Sequence, residues 1–589
     1  MSKVIVFATP VFFLLIALEF AWGLKKGRNT YRLQDMVSSI GLGMMSQFTA
    51  VFTRLLRVGI YTAVYASVSW VPVEAAKAFW NTWYGWVLAL IFYDFCYYWL
   101  HRMGHESAIL WAAHVVHHQS QDYNLSTALR QTSSGALLGW VFYLPMALAG
   151  VPPAVFGIVA LIDLLYQFWV HTEHVPKLGW FDRWFCSPSN HRVHHAVNDA
   201  YVDRNYGGIW VVWDRMFGSF KEEDEKCVYG TRSPLKSWDP IWANVEVYSA
   251  LLHDAWHAKN WGDKLRVFLK PPGWRPADVA ARFAKPVFDM AQAHNKYEAQ
   301  ISRAAQAFGL LSFQLLLGAV AAFLWFADDM AQSVQLVSVL ALMGMLWCTN
   351  AVLQGRLHPW LGAAGWAAVL ATASACFAAL STPLWGAAGA DLWLSLHRIC
   401  KPLGVGFAIF YVAFYADSVP GNSQKRLKVL LLAALALSVM GDVWLMFPGS
   451  FIQGLASFLL AHLCFIALFR QGVGWLPSKS ALLVTASVGM GMYALLWAYL
   501  PAALKLPVAV YVAVIALMGA QALGRSSVLK TSESRWVAVG ALVFMCSDSL
   551  LGWNKFVSPL PLSQLWVLGT YFVAQLLIVR FMTQTATKP

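Results

Sequence analysis

The stretch Asp94-Phe-Cys-Tyr-Tyr-Trp-Leu-His-Arg-Met-Gly-His-Glu106, followed by His114-Val-Val-His-His118, decides how this chain is to be read. It closes an apolar run at residues 83–100 with two imidazoles at i and i+4, then adds three more within five residues. On a helix, i, i+3 and i, i+4 spacings place side chains on one face. The pattern recurs as His171-Thr-Glu-His174 and as His191-Arg-Val-His194-His195. Ten of the sixteen histidines fall between His101 and His195, where an even scatter would leave about two or three. Imidazoles at the ends of apolar segments are costly unless they bind something or each other. A tetrahedral metal takes about four ligands, so eight to ten imidazoles imply two metals. Imidazole suits Fe, Zn and Cu alike, so the residues by themselves leave the metal open.

The composition places this constellation in a membrane. Of 589 residues, 58% are hydrophobic and only 12% charged, against roughly 25% charged in soluble domains. That excludes a soluble multidomain protein, a disordered chain and a nucleic-acid-binding module. The net charge of +13 suits a membrane with an anionic cytoplasmic face, such as a bacterial inner membrane. Thirty tryptophans fit aromatic belts at two lipid interfaces. The eight cysteines form no C-x-x-C pair, so neither a disulfide framework nor a zinc ribbon is indicated. The expected fold class is an all-α polytopic membrane protein.

Apolar segments occur at residues 4–24, 37–70, 83–100, 134–150 and 152–170. The first lacks an A-x-A-like cleavage site and is followed by Lys25, Lys26, Arg28 and Arg32, which predicts a retained anchor with a cytoplasmic loop after it. Residues 176–303 are rich in charge and Trp, as in Lys221-Glu-Glu-Asp-Glu-Lys226, and hold no run long enough to span. They are expected to form a cytoplasmic cap beside the histidine groups, with amphipathic stretches on the membrane surface. Apolar segments resume at 308–326, 333–353 and 361–380, then near Ile399, Leu427, Phe451, Ala481, Leu506, Trp536 and Leu565. The expected organisation is a histidine-rich module with its cap over 1–300, additional transmembrane helices over 301–382, and a second membrane module over 383–589.

The histidine runs, with Ser187-Pro-Ser-Asn before His191, Asn205-Tyr-Gly-Gly208 and Trp213-Asp-Arg-Met-Phe-Gly218, resemble the fatty acid hydroxylase/sterol desaturase superfamily. Glu106, Asp122-Tyr-Asn-Leu-Ser-Thr-Ala-Leu-Arg-Gln131, Tyr229-Gly230, Trp238-Asp-Pro240 and Pro271-Pro-Gly-Trp274 narrow the likeness to its alkylglycerol monooxygenase branch. The resemblance implies a centre of two iron ions held by His101, His105, His114, His117, His118, His191, His194 and His195, with His171 joining them and His174 a further candidate. It implies O2 as co-substrate, a membrane lipid as substrate, and an electron donor, tetrahydrobiopterin or a redox protein. Glu106 is the candidate acidic residue of a pterin pocket, or else an acceptor that orients a ligand imidazole. Asp94 reads as a residue supporting the ligands from outside the first shell.

The C-terminal region carries few polar groups inside its apolar runs. They are Lys401-Pro402, Gly441-Asp-Val-Trp-Leu-Met446, His462 at the end of Phe451-Ile-Gln-Gly-Leu-Ala-Ser-Phe-Leu-Leu-Ala, Tyr511 closing Leu506-Pro-Val-Ala-Val, and Ser547-Asp-Ser549 through Lys555-Phe556. A charge at mid-membrane normally pairs or does chemistry. In order and context these motifs resemble the YhhN/lysoplasmalogenase family, which implies hydrolysis of a vinyl ether. Such hydrolysis needs a proton delivered to carbon and a water added to the resulting cation. Asp442 and Asp548 are the candidate pair, Lys401 and Tyr511 candidates to bind phosphate or tune it, and His462 the fallback acid.

The leading expectation is an ether-lipid enzyme with two fused modules, each releasing an aldehyde. A second reading keeps the iron site but acts on a fatty acyl, sphingoid or sterol-type lipid, with the C-terminal module a non-catalytic lipid-binding scaffold.

Overall fold

The computed structural model describes residues 2–330, 332–380, 390–415, 422–561 and 563–585. Among them the chain is helical, with no strand beyond the isolated bridges Phe185–Trp210 and Ala196–Tyr229. Ten described helices are long and apolar enough to cross a bilayer. The chain divides into two compact units, residues 1–301 with 311–356, and residues 302–310 with 357–589.

In the first unit, the helix Trp83–Glu106 starts where the Thr82 side chain accepts from Gly85 N, satisfying one of the free N–H groups of the first turn. It runs 24 residues and delivers His101 and His105 in its last turns. An aromatic core fixes its path: Tyr93 stacks on Tyr143 at 4.8 Å, and Tyr61 stacks on Phe156 at 4.1 Å, from the helix Pro153–Trp169. That second helix ends two residues before His171. Both segments therefore end in histidines, as the sequence predicts.

Two apolar segments fold differently from a simple span. Residues 134–150 break into the short helix Gly135–Leu138, a 3-10 turn Gly139–Tyr143 and the helix Leu144–Leu148. Pro145 has no N–H for a continuing helix and sits instead in the first turn of a new one. Residues 37–70 divide between the helix Leu33–Arg54, a π turn Leu55–Gly59 and the helix Ile60–Val68. Only the first of these is long enough to span.

The helix Leu33–Arg54 approaches residues 125–131 backbone to backbone at Gly43. A Cβ there would sit 2.2 Å from the Leu129 carbonyl oxygen, which no side-chain rotation relieves. Gly43→Ala is expected to destabilise the fold by about 1–3 kcal/mol, as overpacking does. Thermal unfolding in detergent should show a lowered midpoint. Gly318→Ala is the control, because a Cβ at Gly318 meets nothing within 4 Å and the change should be neutral or mildly stabilising.

The second unit is a bundle whose later helices are Ala390–Tyr415, Asn422–Leu445, Phe451–Phe469, Lys479–Trp497, Ala502–Leu529, Ser532–Phe556 and Ser563–Thr585. Its buried core includes Phe458, Phe465, Phe544, Tyr571 and Phe572. Small residues let the helices close up: a Cβ at Gly441 would lie 2.6 Å from the Phe458 ring, and one at Gly404 would lie 2.3 Å from Phe572. The close packing at Gly441 seats its neighbour Asp442 in the bundle interior.

Candidate functional sites

Nine imidazoles converge in the first unit as two groups. His101, His105, His114, His118 and His194 form one, and His117, His171, His191 and His195 the other; within each group, one ligand atom per residue lies within 4.8 Å of all the rest. They arrive from four places: the end of Trp83–Glu106, the turn His114 to His118, the segment after Pro153–Trp169, and the helix Pro188–His194. The Ser187 side chain caps that last helix by accepting from Asn190 N, with Pro188 in its first turn.

Backbone carbonyls set the tautomers. The Nδ1–H groups donate from His101 to Tyr206 O at 2.8 Å, from His117 to Arg130 O at 2.9 Å, from His171 to Gln167 O at 2.8 Å, and from His194 to Arg204 O at 3.0 Å. Each such bond leaves the Nε2 lone pair turned inward, the arrangement that outer partners impose on metal-binding imidazoles. His117 and His171 then face each other with Nε2 atoms 3.2 Å apart, and neither holds a proton to share. Nε2 atoms also meet at 3.1 Å between His191 and His171, and at 3.2 Å between His194 and His118. The Nε2 atoms of His101, His105 and His195 are buried without a hydrogen-bond partner.

Burial, reinforced by the neighbouring imidazoles, holds His114, His118, His194 and His195 well below the ordinary histidine range, and burial pushes His117 down to about 4. These rings are neutral at physiological pH. Neutral inward lone pairs without partners, packed at contact distance, fit cations between them.

The surroundings brace this geometry. Arg130 is fully buried and donates through Nε to Val116 O at 2.7 Å and through its terminal nitrogens to Gln119, Ser38 and Ser39. It thus holds the turn that carries His117 and His118, while its own carbonyl receives His117. Asp214 accepts from Tyr206 N and Gly207 N, both at 2.8 Å, fixing the loop whose carbonyl receives His101. Glu19, on the first helix, accepts from Leu125 N at 2.8 Å and Thr172 Oγ1 at 2.5 Å. It ties that helix to the segment beside His171.

Three further residues singled out from the sequence stand outside the two groups. His174 stands outside both groups, with its Nε2 against Gly23 of the first helix. Glu106 pairs with Arg102 at 2.8 Å one turn back, and among the described residues no hydrogen bond joins it to a ligand imidazole. Asp94 bonds Ile209 N at 2.6 Å and Trp213 Nε1 at 2.7 Å rather than a histidine, supporting the centre through the 206–213 loop. The carbonyl acceptors at Arg130, Gln167, Arg204 and Tyr206 have no signature in side-chain identity. Asp214 was visible only as part of Trp213-Asp-Arg-Met-Phe-Gly218.

The second unit gathers all five polar residues singled out there. Lys401 Nζ lies 3.2 Å from Asp442 Oδ1, and Tyr571 donates to Asp442 Oδ2 at 2.7 Å. Asp548 Oδ2 receives the Tyr511 hydroxyl at 2.5 Å, and His462 Nε2 lies 2.9 Å from that hydroxyl and 3.5 Å from the carboxylate. A cavity of about 380 Å³ is lined by Lys401, Asp442, Asp548 and Tyr571, and also by His397, Phe458 and Lys555. Sequence reasoning passed over Tyr571, which lies 129 residues from Asp442 in an ordinary apolar helix.

Two buried all-imidazole donor sets are the donor pattern of a histidine-ligated metal centre, and the second unit carries a carboxylate cavity of its own. The fatty acid hydroxylase family profile matches residues 86–219, and the YhhN family profile matches residues 396–582. Over 312 residues the chain is 35% identical to alkylglycerol monooxygenase of Homo sapiens, covering 53% of this chain and 68% of that protein. The corresponding Danio rerio protein is 38% identical over the same coverage. Over 197 residues the chain is 34% identical to lysoplasmalogenase TMEM86B of Mus musculus, covering 33% of this chain and 78% of that protein. No solved structure matches the chain. This integral multi-pass membrane protein belongs to the fatty acid hydroxylase family through its first module and to the YhhN family through its second. The donor set and the family together point to an iron-dependent monooxygenase centre.

Proposed function

We propose that the chain is a bifunctional ether-lipid enzyme, oxidising O-alkylglycerols in its first module and hydrolysing lysoplasmalogens in its second. The observation that carries the first half is the pair of histidine groups, five and four strong, with inward Nε2 atoms. Two iron ions fit them, held by His101, His105, His114, His118 and His194 on one side and by His117, His171, His191 and His195 on the other. When bound, they supply the O2 activation that no side-chain acid or base can. The chain's own residues bury the site, and backbone carbonyls fix the tautomers of His101, His117, His171 and His194. Hydroxylation of the carbon beside an ether oxygen gives a hemiacetal, which collapses to a fatty aldehyde and a free glycerol hydroxyl. Tetrahydrobiopterin is the proposed electron donor, with Glu106 an acidic candidate in its pocket. The membrane is proposed to be a bacterial inner membrane, with the histidine centre and the 176–303 segment on its cytoplasmic side.

In the second module the unequal surroundings of the carboxylates support a division of labour. Lys401 supplies the countercharge for an ionised Asp442, which takes a proton from the attacking water. Asp548, which lies beside Tyr511 and His462, delivers its proton to the vinyl carbon remote from oxygen. Water then adds to the oxocarbenium carbon, and the hemiacetal releases aldehyde and the glycerophospho-alcohol. In that collapse Asp442 returns its proton to the departing glycerol oxygen and the hemiacetal hydroxyl gives its proton to Asp548, which Tyr511 and His462 hold in place.

Metal analysis and assay of the purified chain test this. About two irons per chain are expected from the two donor sets. Alkylglycerol oxidation should require O2 and a reduced pterin. An iron-free chain with full oxidising activity would overturn the first half. Failure of the wild type to cleave any vinyl ether would return the second module to a lipid-binding scaffold.

A further inference from the structure

One wall of the second module's cavity comes from a single face of one helix. Asp548, Leu551 and Lys555, at i, i+3 and i+7 on Ser532–Phe556, all line it. Seven residues of helix rise about 10.5 Å. Lys555 is the penultimate residue of that helix, so it sits at the bundle's end, with Asp548 two turns further in. The exposed turn Phe447-Pro448-Gly449 lines the cavity too and marks the same end as its mouth, while Asp442, Phe458 and Tyr571 form its buried floor.

Three basic side chains line this cavity, and two of them are engaged. Lys401 is committed to Asp442 at 3.2 Å. His397 is buried, with Nδ1 on Ser374 Oγ at 2.9 Å. Tyr511, a candidate for phosphate from the sequence, does not line the cavity and is held between His462 and Asp548. Lys555 is exposed, its ammonium 4.8 Å from the Phe451 ring centroid, and among the described residues no carboxylate is paired with it. The cavity thus has carboxylates at its floor and, among the described residues, a cation without a counter-ion at its mouth.

We propose that Lys555 is the specificity-determining residue of this cavity, taking the phosphate of a lysophospholipid head group and so setting the ether end of the lipid against Asp442 and Asp548. In a glycerophospholipid, five bonds separate the C1 ether oxygen from phosphorus, about 6 Å when extended. An ammonium–phosphate contact adds about 3–4 Å. The sum matches the two helical turns between Asp548 and Lys555. It also matches the way a lipid stands in a bilayer, head group at the level of the helix ends and chain inward. The chemistry assigned to the floor rests on the hydrolase reading, whereas the phosphate preference at the mouth does not.

The experiment uses the full chain in detergent or nanodiscs. Binding of lysophosphatidylethanolamine, of a monoacylglycerol with the same chain, and of inorganic phosphate is read by tryptophan fluorescence. The wild type should prefer the phospholipid over the neutral lipid, and Lys555→Met should cut that preference by about tenfold, the worth of one charge-assisted contact. Lys555→Arg should retain it. In the kinetic arm, the ratio of kcat/KM for lysoplasmalogen over alkenylglycerol should fall by the same factor in Lys555→Met. An unchanged preference in Lys555→Met, or equal loss of both lipids, overturns the proposal. So does inorganic phosphate binding as tightly as the phospholipid, which would make this a free-phosphate site. A Lys555-dependent phosphate preference in a wild type that cleaves neither lipid would sink the hydrolase reading and leave the binding assignment standing.

Discussion

Replacing His117 by alanine is expected to remove alkyl-ether oxidation and to lower the iron content of the purified chain. His117 touches both halves of the supporting geometry, with its Nδ1 on Arg130 O and its Nε2 against His171. Loss of an outer partner of a metal ligand typically costs about 10–100-fold in affinity or activity, and loss of the ligand itself should cost at least ~100-fold. His194→Ala should behave alike, since its Nε2 meets His118 in the other group. His174→Ala is the control, because that ring stands outside both groups and its loss should leave the iron content near wild type. Iron by plasma emission and aldehyde release from an O-alkylglycerol are the readouts. Full oxidation with either ligand imidazole deleted would contradict the dinuclear assignment, and so would iron loss confined to His174→Ala.

The second large effect concerns the other module. Asp442→Asn preserves shape but removes the ionised oxygen facing Lys401, and it should lower vinyl-ether hydrolysis by about 10²–10⁴-fold, the usual worth of a positioned acid or base. Alkyl-ether oxidation should stay near wild type, because each histidine ligand lies at or before His195 and the carboxylate cavity is built from His397 onward. The histidine variants should show the reverse pattern. Asp548→Asn should match Asp442→Asn in the loss. Normal lysoplasmalogen hydrolysis by both variants would rule out the carboxylate mechanism.

How much of this was legible in the sequence follows from what a sequence records. Imidazoles in i, i+3 and i, i+4 sets at the ends of apolar runs announce a shared face and a shared depth, so the two donor groups could be anticipated. Which histidines share a group could not, because His117 and His118 are adjacent yet fall on opposite sides. His174 has the spacing of a ligand, but the chain turns after Thr172 and sends its ring to Gly23. The residues that set the tautomers act through carbonyls, which every residue carries, so side-chain identity says nothing of them.

The same distinction holds in the membrane segments. Hydropathy over 134–150 is that of a span, yet the helix gives way at Gly139 and a new one starts with Pro145 in its first turn. In the second module, isolated charges in apolar runs exposed Lys401, Asp442 and Asp548. Tyr571 is as common in a membrane helix as at a site, and Lys555 closes the motif that begins at Ser547 but takes on a role only when the helix face it shares with Asp548 is seen.

Isotopic oxygen separates the two reactions. Wild-type chain is supplied separately with an O-alkylglycerol and a lysoplasmalogen under 18O2 with a reduced pterin, and the aldehyde is trapped at once by reduction to the alcohol. The alcohol from the alkylglycerol should carry 18O and that from the lysoplasmalogen none, and lysoplasmalogen cleavage should proceed equally under nitrogen. Lysoplasmalogen cleavage that needs O2, or alkylglycerol-derived alcohol without label, would contradict that.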